Sequence, residues 1–171
     1  AYEGGEEIDA SVQLTRSESM SFEDFAGMGT TLAAMLVEAD RITIVNVGDS
    51  RVYRINASGI HQVTKDHSLV EMLVECGSIT KEEAKYHPQR NVITRAVGTD
   101  REVEVDVYEF PTEPGDILLL CSDGLSNMLT DEIIHETVMN NKSHETMCKK
   151  LIELALEAGA NDNVTVVTLS R

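Results

Sequence analysis

Residues 31–55 read TLAAMLVEADRITIVNVGDSRVYRI, and this stretch decides the fold. It contains three short apolar runs separated by turn residues, at 31–38, 41–47 and 51–55. Short runs rich in β-branched residues and bounded by Gly and Asp indicate β-strands, and tight turns between consecutive strands favour antiparallel pairing. The stretch is therefore predicted to form an antiparallel meander.

The residues that follow add strands and helices around this meander. Val103, Val105 and Val107 alternate with acidic residues, which predicts a half-buried strand over 102–110. Continuous apolar runs predict buried strands at 116–121 and 164–169. Ser and Thr capping residues followed by helical periodicity predict helices at three places: two small ones within 67–88, one over 131–139 and one over 144–158.

The order of these elements predicts an α+β fold, with an antiparallel β-sandwich flanked by helices. Residues 1–26 are rich in Glu, Ser and Gly and show no sustained period, so they are expected to be an irregular lead-in. No linker divides the remainder, and 27–171 is expected to form a single domain. In the helix over 131–139, Ile133, Ile134 and Val138 are expected on the buried face.

Charge and cysteine content exclude several classes of protein. The chain of 171 residues has 30 acidic and 14 basic residues, a formal net charge of -16. Such a surface repels nucleic acid and anionic lipid, and no apolar stretch approaches the ~20 residues of a membrane helix. The three cysteines are widely spaced and form no Cys-x-x-Cys pair, which argues against a zinc site or a disulfide framework. A reducing cytoplasm fits this composition.

Three aspartates stand at the ends of apolar runs. Asp49 follows the run at 41–47, Asp123 follows ILLLC, and Asp162 precedes VTVVTL. If the strands are neighbours, the carboxylates converge, and clustered like charges raise one another's pKa or require a cation. Magnesium or manganese suits such oxygen ligands. Taken singly, each aspartate also fits an ordinary turn former next to Gly or Asn.

Six blocks of sequence carry a family resemblance, and they occur in a fixed order. They are GMGTTL (27–32), VGDSRVYRI (47–55), TKDHSLVEMLVECGSIT (64–80), HPQRNVITRAVGTD (87–100), PGDILLLCSDGLSNML (114–129) and ANDNVTVV (160–167). This pattern resembles the 2C-type, metal-dependent serine/threonine phosphatases (the PPM family), and in particular the bacterial ones that oppose serine/threonine kinases.

The resemblance implies a β-sandwich with a metal centre between its sheets, and hydrolysis of phosphoserine and phosphothreonine in phosphoproteins. Two or three manganese or magnesium ions are expected in the complete enzyme. By motif, Asp123 and Asp162 match ligands of the two-metal centre, and Asp49 matches a carboxylate of a third, weaker metal position. Residues 66–93 match the family's flap beside the cleft, and Arg90 and Arg95 are expected to contact the phosphopeptide.

One departure from the family pattern limits what this chain is expected to do. The Arg-x-x-Asn-Glu-Asp and Asp-Gly-Met-Gly-Gly-His blocks, which begin the family's domain, do not occur in the sequence. The chain is therefore expected to lack the first segment of the domain. By itself it is expected to bind metal weakly, to have negligible phosphatase activity and to self-associate. The alternatives are a non-catalytic regulatory or binding module with the same fold and a calcium-binding surface domain, although the sequence has no EF-hand loop.

Overall fold

The computed structural model describes residues 14–15, 27–38, 41–111 and 113–170. Its strands are β1 (Leu14–Thr15), β2 (Leu32–Val37), β3 (Arg41–Val47), β4 (Arg51–Asn56), β5 (Gly59–Gln62), β6 (Glu102–Val103), β7 (Asp106–Pro111), β8 (Ile117–Cys121) and β9 (Val166–Ser170). Its helices are α1 (Leu69–Glu75), α2 (Lys81–Lys85), α3 (Asp123–Ser126), α4 (Asp131–Asn140) and α5 (His144–Glu157). Apart from β1, the predicted lead-in at 1–26 lies outside the described residues.

The described strands form three sheets in which every pair is antiparallel. One sheet has the order β2-β3-β7, a second has the order β5-β4-β8-β9, and β1 pairs with β6. The helices follow or interrupt the strands without alternating with each of them. This arrangement confirms the predicted α+β class.

The four-stranded sheet is covered on both faces, because residues along its strands point alternately to the two sides. On one side, Val52 and Leu118 pack with Ile42 and Ile44 of the three-stranded sheet, all at most 2% exposed. On the other side, the fully buried residues of the sheet and of the helices form a second cluster that includes Tyr53, Leu119, Ile134, Val138 and Leu151. Burying each such side chain contributes roughly 1.5–3 kcal/mol, so these two clusters hold the layers together.

The predicted meander is wrong at its second turn. β2 and β3 pair as expected, but β4 belongs to the other sheet. Gly48 makes the crossing with φ of +102°, and a Cβ there would lie 2.4 Å from Cγ2 of Thr31. The positive φ and the close approach both require glycine, and they turn the chain from one layer of the sandwich into the other.

Two other predicted strands differ from those observed. The strand predicted over 102–110 is divided, since β6 pairs with β1 and β7 pairs with β3. The last strand, β9, is not buried as predicted: it stands at the end of the order β5-β4-β8-β9, and Val167 is 53% exposed. An edge position with one open face explains why an apolar run can remain half exposed.

The helices form where capping residues predicted them. Side chains of Ser68, Thr80, Thr130 and Ser143 accept hydrogen bonds from backbone N–H groups in the first turns of α1, α2, α4 and α5. In α4, Ile134 and Val138 are buried as expected, whereas Ile133 is 40% exposed and faces away from the sheet. No helix among the described residues is long and apolar enough to cross a bilayer.

Candidate metal and phosphate site

The sheet register brings the three aspartates to one end of the four-stranded sheet. Arg51 at the start of β4 pairs with Cys121 at the end of β8, and Cys121 also pairs with Val166 at the start of β9. Because both pairs are antiparallel, the chain enters β4 and β9 and leaves β8 at the same end of the sheet. Asp49 precedes β4, Asp123 follows β8 and Asp162 precedes β9, so each aspartate is within four residues of that end.

Asp49 lies in the turn that crosses between the two sheets. Burial raises the pKa of its carboxyl above the ordinary value of 3.8, and the negative charge of Asp123 raises this pKa further. Arg51, two residues on, acts in the opposite direction. Its guanidinium is nevertheless committed to Asp66, which accepts hydrogen bonds of 2.9 and 2.6 Å from it.

Asp123 is the central carboxylate of the three. It begins α3 and accepts a hydrogen bond of 3.3 Å from the side-chain amide of Asn127, one helical turn on. Burial raises the pKa of the Asp123 carboxyl, and the charge of Asp162 is the next largest cause. Asp123 is therefore within electrostatic reach of both Asp49 and Asp162, as the sequence predicted for neighbouring strands.

Two contacts hold the Asp123 loop against the Asp162 loop. The hydroxyl of Ser122 donates to the Asn163 carbonyl at 3.1 Å and accepts from the Thr165 N–H at 3.0 Å. Gly124 packs so closely on the same carbonyl that a Cβ would lie 2.4 Å from the Asn163 oxygen. Asp162 itself accepts a hydrogen bond of 2.7 Å from the Asn163 N–H. Backbone contacts thus fix how far apart these two carboxylates stand.

The donor chemistry fits a hard divalent cation. Carboxylate oxygens are the ligands that magnesium and manganese prefer. The pKa values of Asp49 and Asp123 are raised first by burial and then by the charge of a neighbouring carboxylate. Within the described part of the chain, no group of three or more His, Cys, Asp or Glu side chains converges tightly enough to hold an ion. The described aspartates are therefore arranged as adjacent pairs around Asp123.

A pocket of about 180 Å³ opens beside Asp123 and Asp162. Its wall also contains asparagine side chains and the guanidinium of an arginine. The lining residues are Arg90, Asn91, Asp123, Gly124, Asn127, Met128, Ala160, Asn161 and Asp162. The Arg90 guanidinium donates to the Lys85 carbonyl at 3.0 Å, which ties it to the end of α2. The sequence predicts Arg90 at the substrate, and the structure includes it in the wall of the same pocket as the two carboxylates.

Arg95, the second arginine expected at the substrate, does not line this pocket. Its guanidinium donates to Asp106 at 2.7 Å and to the Glu104 carbonyl at 3.2 Å, and it forms an ion pair with the Glu104 carboxylate. Asp49 is likewise absent from the pocket wall, although it interacts electrostatically with Asp123. Two of the five predicted site residues, Asp49 and Arg95, therefore do not line the pocket.

The amides of the pocket were not foreseen from the sequence. For Asn127 a signal existed, because its spacing of four residues from Asp123 places both side chains on one face of a helix. The sequence does not predict α3, because the letters DGLS resemble a turn more than a helix. For Asn91 and Asn161 no local signal existed, because only the tertiary fold brings the flap (66–93) to the loop before β9.

Ionised Asp123 is expected to cost the metal-free chain stability. Because the folded chain raises the pKa of Asp123 above 3.8, it binds this proton more tightly than the unfolded chain does. The cost is therefore absent at pH values below 3.8 and grows as the pH rises through the folded pKa. We expect Asp123→Asn to raise the free energy of unfolding at pH 7 and to lose this advantage on acidification.

Urea denaturation with chelator present checks this expectation. Glu153→Gln is the matched control, because it also converts a carboxylate to an amide, at an exposed position on α5 where Glu153 pairs with Lys150. A loss of stability in Asp123→Asn at pH 7, relative to the unmodified chain, would contradict the expectation.

The chain is similar to known proteins along most of its length. The family model for protein phosphatase 2C matches residues 6–163. The serine/threonine phosphatase stp of Listeria monocytogenes serotype 4b is 39% identical over 174 residues, which cover 97% of this chain and 69% of that protein.

Solved structures show the same likeness. The serine/threonine phosphatase Stp1 from Staphylococcus aureus has a TM-score of 0.86 at 41% identity, covering 90% of this chain and 60% of that one. The catalytic domain of the phosphatase PstP, solved with two manganese ions, has a TM-score of 0.80 at 41% identity, covering 88% of this chain and 62% of that one. The chain thus spans 60–69% of the length of these relatives. Because the match extends over most of the sequence and the fold, the chain belongs to the protein phosphatase 2C family.

Proposed function

We propose that the intact protein hydrolyses phosphoserine and phosphothreonine in phosphoproteins, with manganese or magnesium bound at Asp123 and Asp162. One observation carries this proposal: Asp123 interacts electrostatically with Asp162, and Arg90 stands in the wall of the same pocket. A phosphate monoester needs positive charge around its oxygens and a nucleophile held in line with the leaving group. A pocket whose wall contains both carboxylate ligands for a metal cation and the Arg90 guanidinium meets the first requirement.

Each of the four site residues Asp49, Asp123, Asp162 and Arg90 has a defined part in this proposal. Asp123 and Asp162 hold the cation, and Asp49 contributes a further, weaker position next to Asp123. A bound divalent ion supplies Lewis-acid polarisation of phosphate and an acidified water as nucleophile. Arg90 attracts the phosphate dianion and orients it, because a guanidinium can donate two parallel hydrogen bonds to phosphate oxygens. Its anchorage to the Lys85 carbonyl reduces the entropy lost when substrate binds.

The second arginine proposed for substrate binding, Arg95, supports a more indirect part. Its guanidinium is engaged by Asp106 and Glu104, so it reaches a phosphopeptide only at the cost of these ion pairs. We propose the flap (66–93) as the surface against which the peptide lies, since it carries Arg90 and Asn91 into the pocket wall.

The finer features of the proposal concern ions, partners and location. We propose two or three metal ions in the complete enzyme, a cognate serine/threonine kinase whose products are the substrates, and a cytoplasmic location. For the 171-residue chain by itself we propose self-association, supported by the edge strand β9 and the exposure of Val167. Light scattering that shows a monomer at all concentrations tested would contradict the proposed self-association.

The experiment that tests the activity is hydrolysis of a phosphothreonine peptide by the intact protein. We expect phosphate release in manganese or magnesium, loss of release in chelator, and recovery when the metal is returned. Arg90→Lys serves as a control on the phosphate contact: it keeps the charge but removes the planar pair of donors, so KM should rise more than kcat falls. Phosphate release that is unaffected by chelator would contradict the proposal.

No observation favours the non-catalytic module that the sequence left open as an alternative. The pocket wall contains Asp123 and Asp162, which can hold a divalent cation, and the Arg90 guanidinium, which can bind phosphate. Asp123 interacts electrostatically with both Asp49 and Asp162, and a bound divalent cation would offset this repulsion.

A further inference from the structure

His67 lies where the flap (66–93) joins the rest of the domain, and it is bonded to Gly48 in two ways. Its backbone N–H donates to the Gly48 carbonyl at 2.9 Å, and its Nδ1 accepts from the Gly48 N–H at 3.0 Å. The imidazole is 6% exposed. One residue of the flap thus satisfies both polar backbone groups of the glycine that immediately precedes Asp49.

These contacts fix the tautomer of the imidazole. A backbone N–H can only donate, so Nδ1 of His67 carries no proton and the neutral ring carries its proton on Nε2. Nε2 lies 3.1 Å from Oδ2 of Asp106 and donates to it. Arg95 Nη1 lies 2.7 Å from Oδ1 of the same carboxylate. Nε2 of His67 and Nη1 of Arg95 are 3.0 Å apart. Both are donors, and they are close together because both donate to the Asp106 carboxylate.

Asp106 is well suited to fix this tautomer. Burial acts to raise the pKa of its carboxyl, but hydrogen bonds from His67 and Arg95 outweigh burial and hold the pKa below its ordinary value. The carboxylate is therefore ionised at neutral pH, and it accepts a further hydrogen bond of 3.2 Å from the Tyr108 hydroxyl. Because Asp106 belongs to β7, the imidazole is tied to the three-stranded sheet as well as to the turn.

Gly48 needs such external contacts. It has no side chain to pack, and its φ of +102° belongs to a region that only glycine enters readily. The orientation of the next residue, Asp49, depends on the peptide bond between Gly48 and Asp49. The carbonyl of this peptide belongs to Gly48, and it accepts the hydrogen bond from the His67 N–H.

We propose that His67 is a positioning residue for Asp49: held by Asp106 with its proton on Nε2, it fixes the Gly48 backbone and thereby the direction in which the Asp49 carboxylate points. The two ends of the flap meet at this position, because the His67 carbonyl accepts from the N–H of Thr94, the residue that follows the flap, at 2.8 Å. The inference rests on the proposed function to the extent that Asp49 contributes to cation binding. Groups that orient ligands from outside the coordination shell typically change metal affinity 10–100-fold when they are removed.

Two substitutions separate the roles of the two ring nitrogens. His67→Asn keeps an acceptor near the position of Nδ1 and loses the donor to Asp106. His67→Gln keeps a donor near the position of Nε2 and loses the acceptor for Gly48. We expect His67→Gln to weaken manganese binding by the chain about tenfold and to speed hydrogen exchange of the Gly48 amide, while His67→Asn stays within about threefold of the unmodified chain. Equal affinities for the two variants, or the greater loss in His67→Asn, would overturn the proposal.

Nitrogen-15 NMR of the unmodified chain provides a test that needs no variant and no metal. We expect the His67 ring to carry its proton on Nε2 and the Gly48 amide to be protected from exchange. A proton on Nδ1, or an unprotected Gly48 amide, would overturn the proposal even if manganese binds. If the intact protein binds no manganese, the proposed function fails, while the tautomer and the exchange rate in the chain still decide whether His67 holds Gly48.

Discussion

Asp123→Asn is expected to reduce kcat/KM of the intact protein for a phosphothreonine peptide by about 10³-fold, because bound metal contributes several kcal/mol and each 1.36 kcal/mol is a factor of ten. The substitution keeps the shape of the side chain and its contact with Asn127, but it removes the central negative charge. Since this charge also opposes folding, the same variant should be more stable without metal and far less active with it.

Initial rates at saturating manganese, together with urea denaturation of the same samples, check both halves of this expectation. Glu153→Gln should leave the rates unchanged, because its carboxylate is exposed on α5 and outside the pocket wall. An Asp123→Asn variant that keeps a tenth or more of the activity would show that Asp123 holds no essential cation.

Gly124→Ala is expected to damage the site through the backbone. The added Cβ would stand 2.4 Å from the Asn163 carbonyl oxygen. Because the Cβ is fixed to the backbone of α3 and the oxygen is itself a backbone atom, either α3 or the loop before β9 must move. Overpacking of this kind costs typically 1–3 kcal/mol of stability. The movement also separates Asp123 from Asp162, so manganese affinity should fall with it.

Gly77→Ala is the matched control for this variant. Gly77 ends α1 with φ of +71° and has no atom within 4 Å of an added Cβ, so alanine there costs backbone strain without a clash. We expect both variants to lose stability but only Gly124→Ala to lose manganese affinity. Equal affinity in Gly124→Ala and the unmodified chain would mean that the contact with Asn163 does not set the spacing of the carboxylates.

Most of the secondary structure could be predicted because local chemistry determines it. β3 matches its predicted bounds, and α4 and α5 begin at the residues that follow Thr130 and Ser143, whose side chains cap them. Assignment of strands to sheets could not be predicted, because a tight turn between apolar runs indicates a hairpin and a crossing between layers equally well. Only the contact of Gly48 with Thr31 distinguishes the two, and it depends on the tertiary fold.

The candidate site could be predicted in part for a similar reason. The sequence predicts that Asp123 and Asp162 lie close together because each stands at one end of an apolar run, and antiparallel pairing of β8 with β9 brings these ends to the same side of the sheet. Arg90 was expected from the family pattern, and it lines the pocket. Arg95 has the same charge and lies five residues after Arg90, but its guanidinium binds Asp106, which is eleven residues further along the chain. Sequence distance gives no measure of which arginine an acidic strand will engage.

The central claim, that Asp123 and Asp162 share a divalent cation, is tested most directly by manganese titration of the chain, with free ion followed by electron paramagnetic resonance. The unmodified chain, Asp162→Asn and Glu153→Gln should be titrated under identical conditions. We predict that the unmodified chain and Glu153→Gln bind manganese with the same affinity, and that Asp162→Asn binds at least about tenfold more weakly because a charged ligand is lost. Equal affinity in Asp162→Asn and the unmodified chain would contradict the claim.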